Sequence, residues 1–340
     1  MAHEALTEAT LRNLVNLERI ANGLSAEQRA RVRSLFDEIV GLLAKHDPTA
    51  VSARYRQARI DKIMGEVETL TGQTFREFRR TLRADLARLA VQQTDHAVTM
   101  LKNATELVVD IRRSAMSLDF ARTIIDRDPF EGLTLADWAE GQEVRTVQQV
   151  RRQIQLGMLN NESIPDITKR VKGVGSSAED NAEAVVRTAV NWISNDSHLR
   201  TYRANTDVLT AVQWTSTLDS RTCLACAEMD GKTWKLDDTS LRRPPLHFND
   251  RCVLVPVVDW ESLGLDAPEP GTRAARDDDG KSVQVSSQTR YEDWLRARPA
   301  SFQDEVLGPS RGRLFRKGTS LSDMVRGDGS ILTLDELEAA

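Results

Sequence analysis

The sequence predicts a mainly α protein built in several segments, with one small α+β module held together through cysteines. Three observations predict it. Residues 1–127 hold a single proline, Pro48, and only four of the eighteen glycines. Apolar residues in that half recur at steps of three and four, the helical period. From residue 211 the pattern changes to short β-rich runs, and all three cysteines of the chain lie among them.

Taken in order, Leu11, Leu14, Leu17 and Ala21 share one face of a first helix, which Gly23 is placed to end. Ser25 followed by Gln28 is a capping-box pattern, opening a second helix through Val32, Leu35, Phe36, Ile39 and Leu43. Asp47-Pro48 stops it, because the residue before proline is pushed out of helical geometry. A long helix is predicted after Gly72, where Phe75, Phe78, Leu82, Leu86, Leu89, Gln93, Ala97, Met100, Ala104 and Leu107 form a continuous stripe. Such a stripe seeks partner helices, as an internal bundle face or an oligomer seam. Asp128 to Gly132 is a break. Helices follow at about 141–158, 162–171 and 178–204, then short strands at Ala211 to Thr217, Lys232 to Leu236 and Arg251 to Val258. Residues 264–287 collect Pro268, Pro270, Gly271 and the run Asp277 to Gly280, the composition of an exposed loop. The domain reading is an N-terminal helical region 1–127, a middle helical region 128–210, a module 211–260, a linker 261–287 and a C-terminal appendage 288–340 of short helices.

Composition narrows the function classes. At 340 residues the chain exceeds what one core comfortably organises, so two or three units are expected. No apolar run reaches the length of a membrane span, and the N-terminus lacks a signal pattern. Three cysteines argue against a secreted disulfide scaffold and for synthesis in a reducing cytoplasm. The net charge of −5 speaks against a nucleic-acid coat, yet the charge is uneven. Residues 1–127 carry 20 Lys/Arg against 17 Asp/Glu, and the remainder 26 against 34. The basic excess is densest at Arg76, Arg79, Arg80, Arg83 and Arg88. Read plainly, these form a solvated helix face; read for function, they suit DNA phosphate or an acidic partner rim. The histidines at 3, 46, 96 and 198 read as surface or cap residues, His46 at a helix C-terminus.

The chemistry lies in Cys223-x2-Cys226, twenty intervening residues, then His247-x4-Cys252. A Cys-x-x-Cys turn brings two thiolates to one side of a backbone loop. A His/Cys pair from a second loop can then complete the tetrahedral N/S shell that Zn²⁺ prefers. Asp250, three residues after His247, could compete with Cys252 as fourth ligand. Thiolate is the softer donor, and Asp250 reads as exposed, so Cys252 is preferred. A catalytic zinc would keep one position open beside an acid such as Glu228 or Asp219. A buried apolar core of cysteines, a thioredoxin-like pair and a Cys/His nucleophile are the other readings.

The stretch from Trp214 through Asp219, Cys223, Cys226 and Asp230-Gly231, then Pro244-Pro245-Leu-His247 to Arg251-Cys252, resembles the core of the phage Mu F-like minor head proteins. Asp250 stands where that family often has another cysteine. Looser resemblance extends upstream to Phe130-Glu-Gly132 and Arg187-Thr188, where Ala189 departs from the family's usual Glu, and downstream through Trp294 to Gly308. The resemblance implies a low-copy virion protein made in the host bacterial cytoplasm. It would act with portal and capsid or scaffold proteins in head morphogenesis, DNA packaging or delivery, without catalysis, its zinc structural. A zinc-stapled module of about fifty residues suits that role, since structural zinc can supply roughly 10–16 kcal/mol to folding. The alternatives are a metal-dependent hydrolase or toxin-like effector on a head-protein module, and a DNA-binding assembly factor.

Overall fold

A computed structural model describes residues 6–48, 53–106 and 108–339. His3 and Leu107 lie outside them. Five helices dominate: α1 (Leu6–Lys45), α2 (Ala53–Ala104), α3 (Leu118–Arg127), α4 (Leu135–Leu159) and α5 (Ile164–Arg203). A three-stranded antiparallel sheet follows, made of β1 (Leu209–Thr215), β2 (Thr233–Lys235) and β3 (Val253–Val258) in the order β2-β1-β3, with α6 (Leu224–Met229) between β1 and β2. Then come the hairpin β4 (Thr272–Arg276) and β5 (Ser282–Ser286), and the short helices α7 (Tyr291–Arg296), α8 (Ala300–Leu307), α9 (Pro309–Arg316) and α10 (Leu334–Ala339). The chain divides into two compact units, one of Met1–Leu17, Ala90–Met116 and Asn191–Ala340, the other of Glu18–Leu89 and Ser117–Val190.

In the second of these units, the helices pack through the predicted stripes. Val32, Ile39 and Leu43 of α1 and Phe75, Phe78, Leu82 and Leu86 of α2 are all buried. The stripe of α2 is therefore core. Two helix boundaries are corrected. α1 runs unbroken through Gly23 and Ser25, and α2 begins well before Gly72. A mid-helix glycine costs only about 1 kcal/mol against alanine, which buried neighbours such as Ala21 and Val32 outweigh. The helices expected at 162–171 and 178–204 are likewise the single α5. There Gly175 is a contact rather than a break, because a Cβ on it would lie 2.8 Å from Phe36 Cγ. Cross-helix ion pairs close the unit's rim, among them Arg33 to Glu179 at 2.6 Å and Arg151 to Glu68 at 3.0 Å. α4 starts on a capping box, with Thr134 and Asp137 bonding each other's backbone N–H.

In the other unit, Leu101, Tyr202, Val212, Trp214 and Leu254 share one core with Cys226 and Cys252. Gln93, the polar member of the α2 stripe, is satisfied there, accepting from Asn13 at 2.7 Å and Ser194 at 3.1 Å. His198 corrects its surface reading: it is 4 % exposed, stacked on His96 with ring centroids 5.5 Å apart. Residues 261–287 are not a linker but carry the β4–β5 hairpin, in which Arg273 and Ala275 are buried. Nor is 288–340 merely appended. Tyr291, Trp294, Leu295 and Phe315 pack into a second core with Leu218 and Ala227 from beside the cysteines. Alternation hides this in the sequence, since β4 buries only every second residue and one of the two it buries is the charged Arg273.

Candidate metal centre

The site grows out of β1. Trp214 is fully buried, and its indole N–H donates to Ser216 Oγ at 2.9 Å. Ser216 Oγ in turn donates to the Cys226 carbonyl at 2.7 Å, which ties the strand's end to α6. Cys223 is the N-cap of α6, its Sγ accepting from the Cys226 N–H at 3.4 Å, so one helical turn places both sulfurs on the same side. Asp230-Gly231 turns the chain back toward β2, with Gly231 at φ +87°, where glycine bears no Cβ penalty.

The second loop brings His247. Its Nδ1 lies 2.8 Å from the Phe248 carbonyl, which makes Nδ1 a donor there and directs Nε2 at the thiols. Nε2 is 3.1 Å from Cys223 Sγ and 3.2 Å from Cys226 Sγ. In a tetrahedral zinc shell the N···S edge is about 3.5 Å, so these donors already stand within a few tenths of an ångström of that spacing. Cys223, Cys226 and His247 form one converging group, and Cys226, Asp250 and Cys252 a second that shares Cys226. Cys252 lies deeper, fully buried, its Sγ 3.4 Å from Ser216 Oγ. Soft sulfur donors and an imidazole with its far nitrogen anchored suit zinc.

The local field suits it as well. Hydrogen bonding from Cys226, reinforced by His247, holds the Cys223 thiol far below its ordinary range, at about 4. The Cys223 sulfur pushes His247 up to about 9. Burial pushes Cys252 up to about 12, and its neighbouring thiols raise Cys226. At neutral pH Cys223 is thus a thiolate facing a protonated His247, and His247 Nε2 and the other thiols would lose their protons as a cation arrives.

Asp250 is not exposed as its sequence context suggests: it is 3 % exposed. Its carboxylate accepts from the Leu246 N–H and the Cys252 N–H, each at 2.8 Å, and so closes the loop that carries His247. Asn249, at φ +60°, supplies the left-handed turn this closure needs. Asn191 and Asn195 of α5 hold the same loop, Asn191 Nδ2 donating to the Asp250 carbonyl at 2.8 Å. Sequence reading missed these two amides, since polar residues inside a helical run carry no mark of what lies opposite.

Both acids weighed for a catalytic role are engaged. Asp219 accepts from Arg251 at 2.6 and 2.8 Å; burial alone would raise its pKa, but this pairing outweighs it and the net shift is downward. Glu228 pairs with Lys232. Below them, Asp230 takes N–H bonds from Ser216 and Tyr291 and an ion pair with buried Arg273 at 3.2 Å.

The arginine cluster on α2 is largely paired. Arg80 bonds Glu77, Arg83 bonds Asp126, and Arg88 bonds Asp85. Arg76 and Arg79 are exposed and have no carboxylate within ion-pair distance among the described residues. No helix among those residues is long and apolar enough to cross a membrane.

No curated protein and no solved structure gives a significant match to the chain. One family model does match, over residues 148–255, a span that begins within α4 and contains Cys223, Cys226, His247 and Cys252. It stops short of Phe130 on one side and of Trp294 on the other, where the looser resemblance had been drawn. That family is described as Phage Mu protein F like protein, and over residues 148–255 the chain is similar to it.

Proposed function

We propose that the chain is a minor head protein of a tailed phage, a virion component working with portal and capsid or scaffold proteins in head assembly, DNA packaging or delivery. The observation that carries this reading is the coincidence of two features on one segment: the family match and the Cys/His cluster. In this reading zinc is structural, held by Cys223, Cys226, His247 and Cys252, and supplies cross-linking of the β1–α6 turn to the His247 loop. Engagement of Asp219 with Arg251 and of Glu228 with Lys232 favours a structural over a catalytic centre, because a general base needs a free lone pair at the metal's open position. The test is biological. The protein should co-purify with procapsids in substoichiometric amounts relative to the major capsid protein, and its loss should give few or DNA-poor heads. Finding it only free in the lysate would sink the reading.

A second reading, contact with DNA, rests on Arg76 and Arg79 alone, since the other three arginines of the cluster are already paired. Retention on DNA that falls steeply with salt and disappears on Arg76→Glu/Arg79→Glu would support it. Retention unchanged by that reversal would leave these arginines as solvated surface.

A further inference from the structure

The thiols of the metal centre are not equally accessible. Cys223 is half-buried, whereas Cys226 and Cys252 are 1 % and 2 % exposed. An oxidant arriving from solvent therefore meets the Cys223 sulfur first. Nor are the sulfurs equally placed for pairing. Cys226 belongs to both converging groups, beside Cys223 and His247 in one and beside Asp250 and Cys252 in the other. The ligand atoms of each group lie within 4.8 Å of one another. Cys223 and Cys252 share no group, so a disulfide formed without rearrangement includes Cys226. Cys252 Sγ is turned to Ser216 Oγ at 3.4 Å. Cys223 and Cys226 instead stand on one helical turn, with the Cys226 N–H donating to Cys223 Sγ at 3.4 Å. The accessible sulfur thus has its near thiol partner on its own loop rather than across the site.

We propose that Cys223 and Cys226 form a redox switch, closing to a disulfide under a peroxide and so dismantling the zinc shell, an inference that rests on the zinc reading above. A cysteine that ligates a metal is a thiolate, the form that attacks peroxide. The Cys223 sulfur displaces hydroxide from hydrogen peroxide and becomes a sulfenic acid. The Cys226 sulfur then attacks the Cys223 sulfur; the S–S bond forms, the S–O bond breaks, and a second hydroxide leaves. Two electrons have passed from the paired sulfurs to the peroxide. His247 and Cys252 remain as donors, too few for a structural zinc, which takes four. The two loops keep a joint that does not pass through sulfur. Asp219 on the first loop and Arg251 on the second are joined by bonds of 2.6 and 2.8 Å. Oxidation therefore loosens the module without parting its loops, leaving one state for reducing surroundings and another for oxidising ones.

The test uses the full chain purified under reducing conditions. Metal analysis first asks whether it holds about one zinc, which decides the zinc reading by itself. Hydrogen peroxide is then added beside a chromogenic zinc chelator, and the thiols are mapped by alkylation and mass spectrometry. Zinc should fall from about one per chain to about none. The peptide holding Cys223 and Cys226 should become about 2 Da lighter while Cys252 still takes the alkylating label, and dithiothreitol with added zinc should reverse both changes. Cys223→His keeps a zinc donor but removes the accessible thiol, and should release zinc roughly tenfold more slowly. Should that variant not hold zinc, the wild-type map decides alone. Zinc kept by the wild type under peroxide overturns the proposal, as does equal release from a zinc-loaded Cys223→His or a disulfide joining Cys226 to Cys252. A chain purified without zinc fails the zinc reading, and the same thiol map then upholds or overturns the Cys223–Cys226 pairing.

Discussion

Asp250 illustrates how one side chain can hold together the loop that carries a site. Both its oxygens are spent on backbone N–H groups of the loop that carries His247 and Cys252. Asp250→Ala should therefore destabilise the protein by roughly 2–4 kcal/mol, because two charge-assisted bonds are lost and two buried donors are left unpaired. Cys252→Ser should instead release the metal from a protein purified with about one zinc. Metal analysis and thermal melts on both variants separate the roles; zinc lost only on Asp250→Ala would reverse the assignment. His198 gives a second residue-scale expectation. Burial, with His96 beside it, lowers its pKa from 6.5 to about 3, so the folded chain keeps it neutral while the unfolded chain protonates it. The stability that neutral form contributes is complete above pH 6.5 and is lost as pH falls toward 3, by up to about 1.4 kcal/mol per pH unit. Denaturant titrations at pH 7, 6 and 5 should show a shallower decline in His198→Phe than in the wild type; identical slopes would assign the loss to other groups.

The helices show which local signals outlast tertiary packing. Capping residues and glycines suggested breaks at 23–25 and 172–177, and both lie inside continuous helices. The apolar stripes were the stronger signal because they report burial directly. Glycine identity alone does not say whether space lies above it. Gly41 has nothing within 4 Å of a Cβ position, so Gly41→Ala should stabilise by about 0.5–1 kcal/mol. Gly175→Ala meets Phe36 at 2.8 Å and should cost about 1–3 kcal/mol. Leu82, with no exposed surface, should tolerate aspartate least, losing several kcal/mol, whereas Arg79→Ala should be nearly neutral. Thermal melts of the four variants check all of this; equal, small effects of Leu82→Asp and Arg79→Ala would mean the stripe is not core.

For the whole molecule, the Cys/His residues and their two loops were legible because cysteines are few and closely spaced. What anchors them was not. Arg273, Tyr291 and the α7–α9 helices come from stretches read as linker and appendage, and a pairing such as Arg273 with Asp230 leaves no periodic trace across forty residues. Arg273→Ala should cost about 3–5 kcal/mol, since it strands a buried carboxylate. Removing residues 288–340 should uncover Leu218 and Ala227 and loosen the metal centre, which hydrogen exchange along 211–258 would register. Full protection of that stretch after truncation would show the C-terminal helices to be dispensable.

α1, α2 and α5 each lend residues to both compact units, so neither unit corresponds to an unbroken stretch of gene. A recombination junction that fell inside α1, α2 or α5 would join a foreign helix half to a resident one, the two halves belonging to different units. Because the unit bearing the cysteines is assembled from three separate stretches of chain, no single contiguous exchange within the gene carries that unit alone.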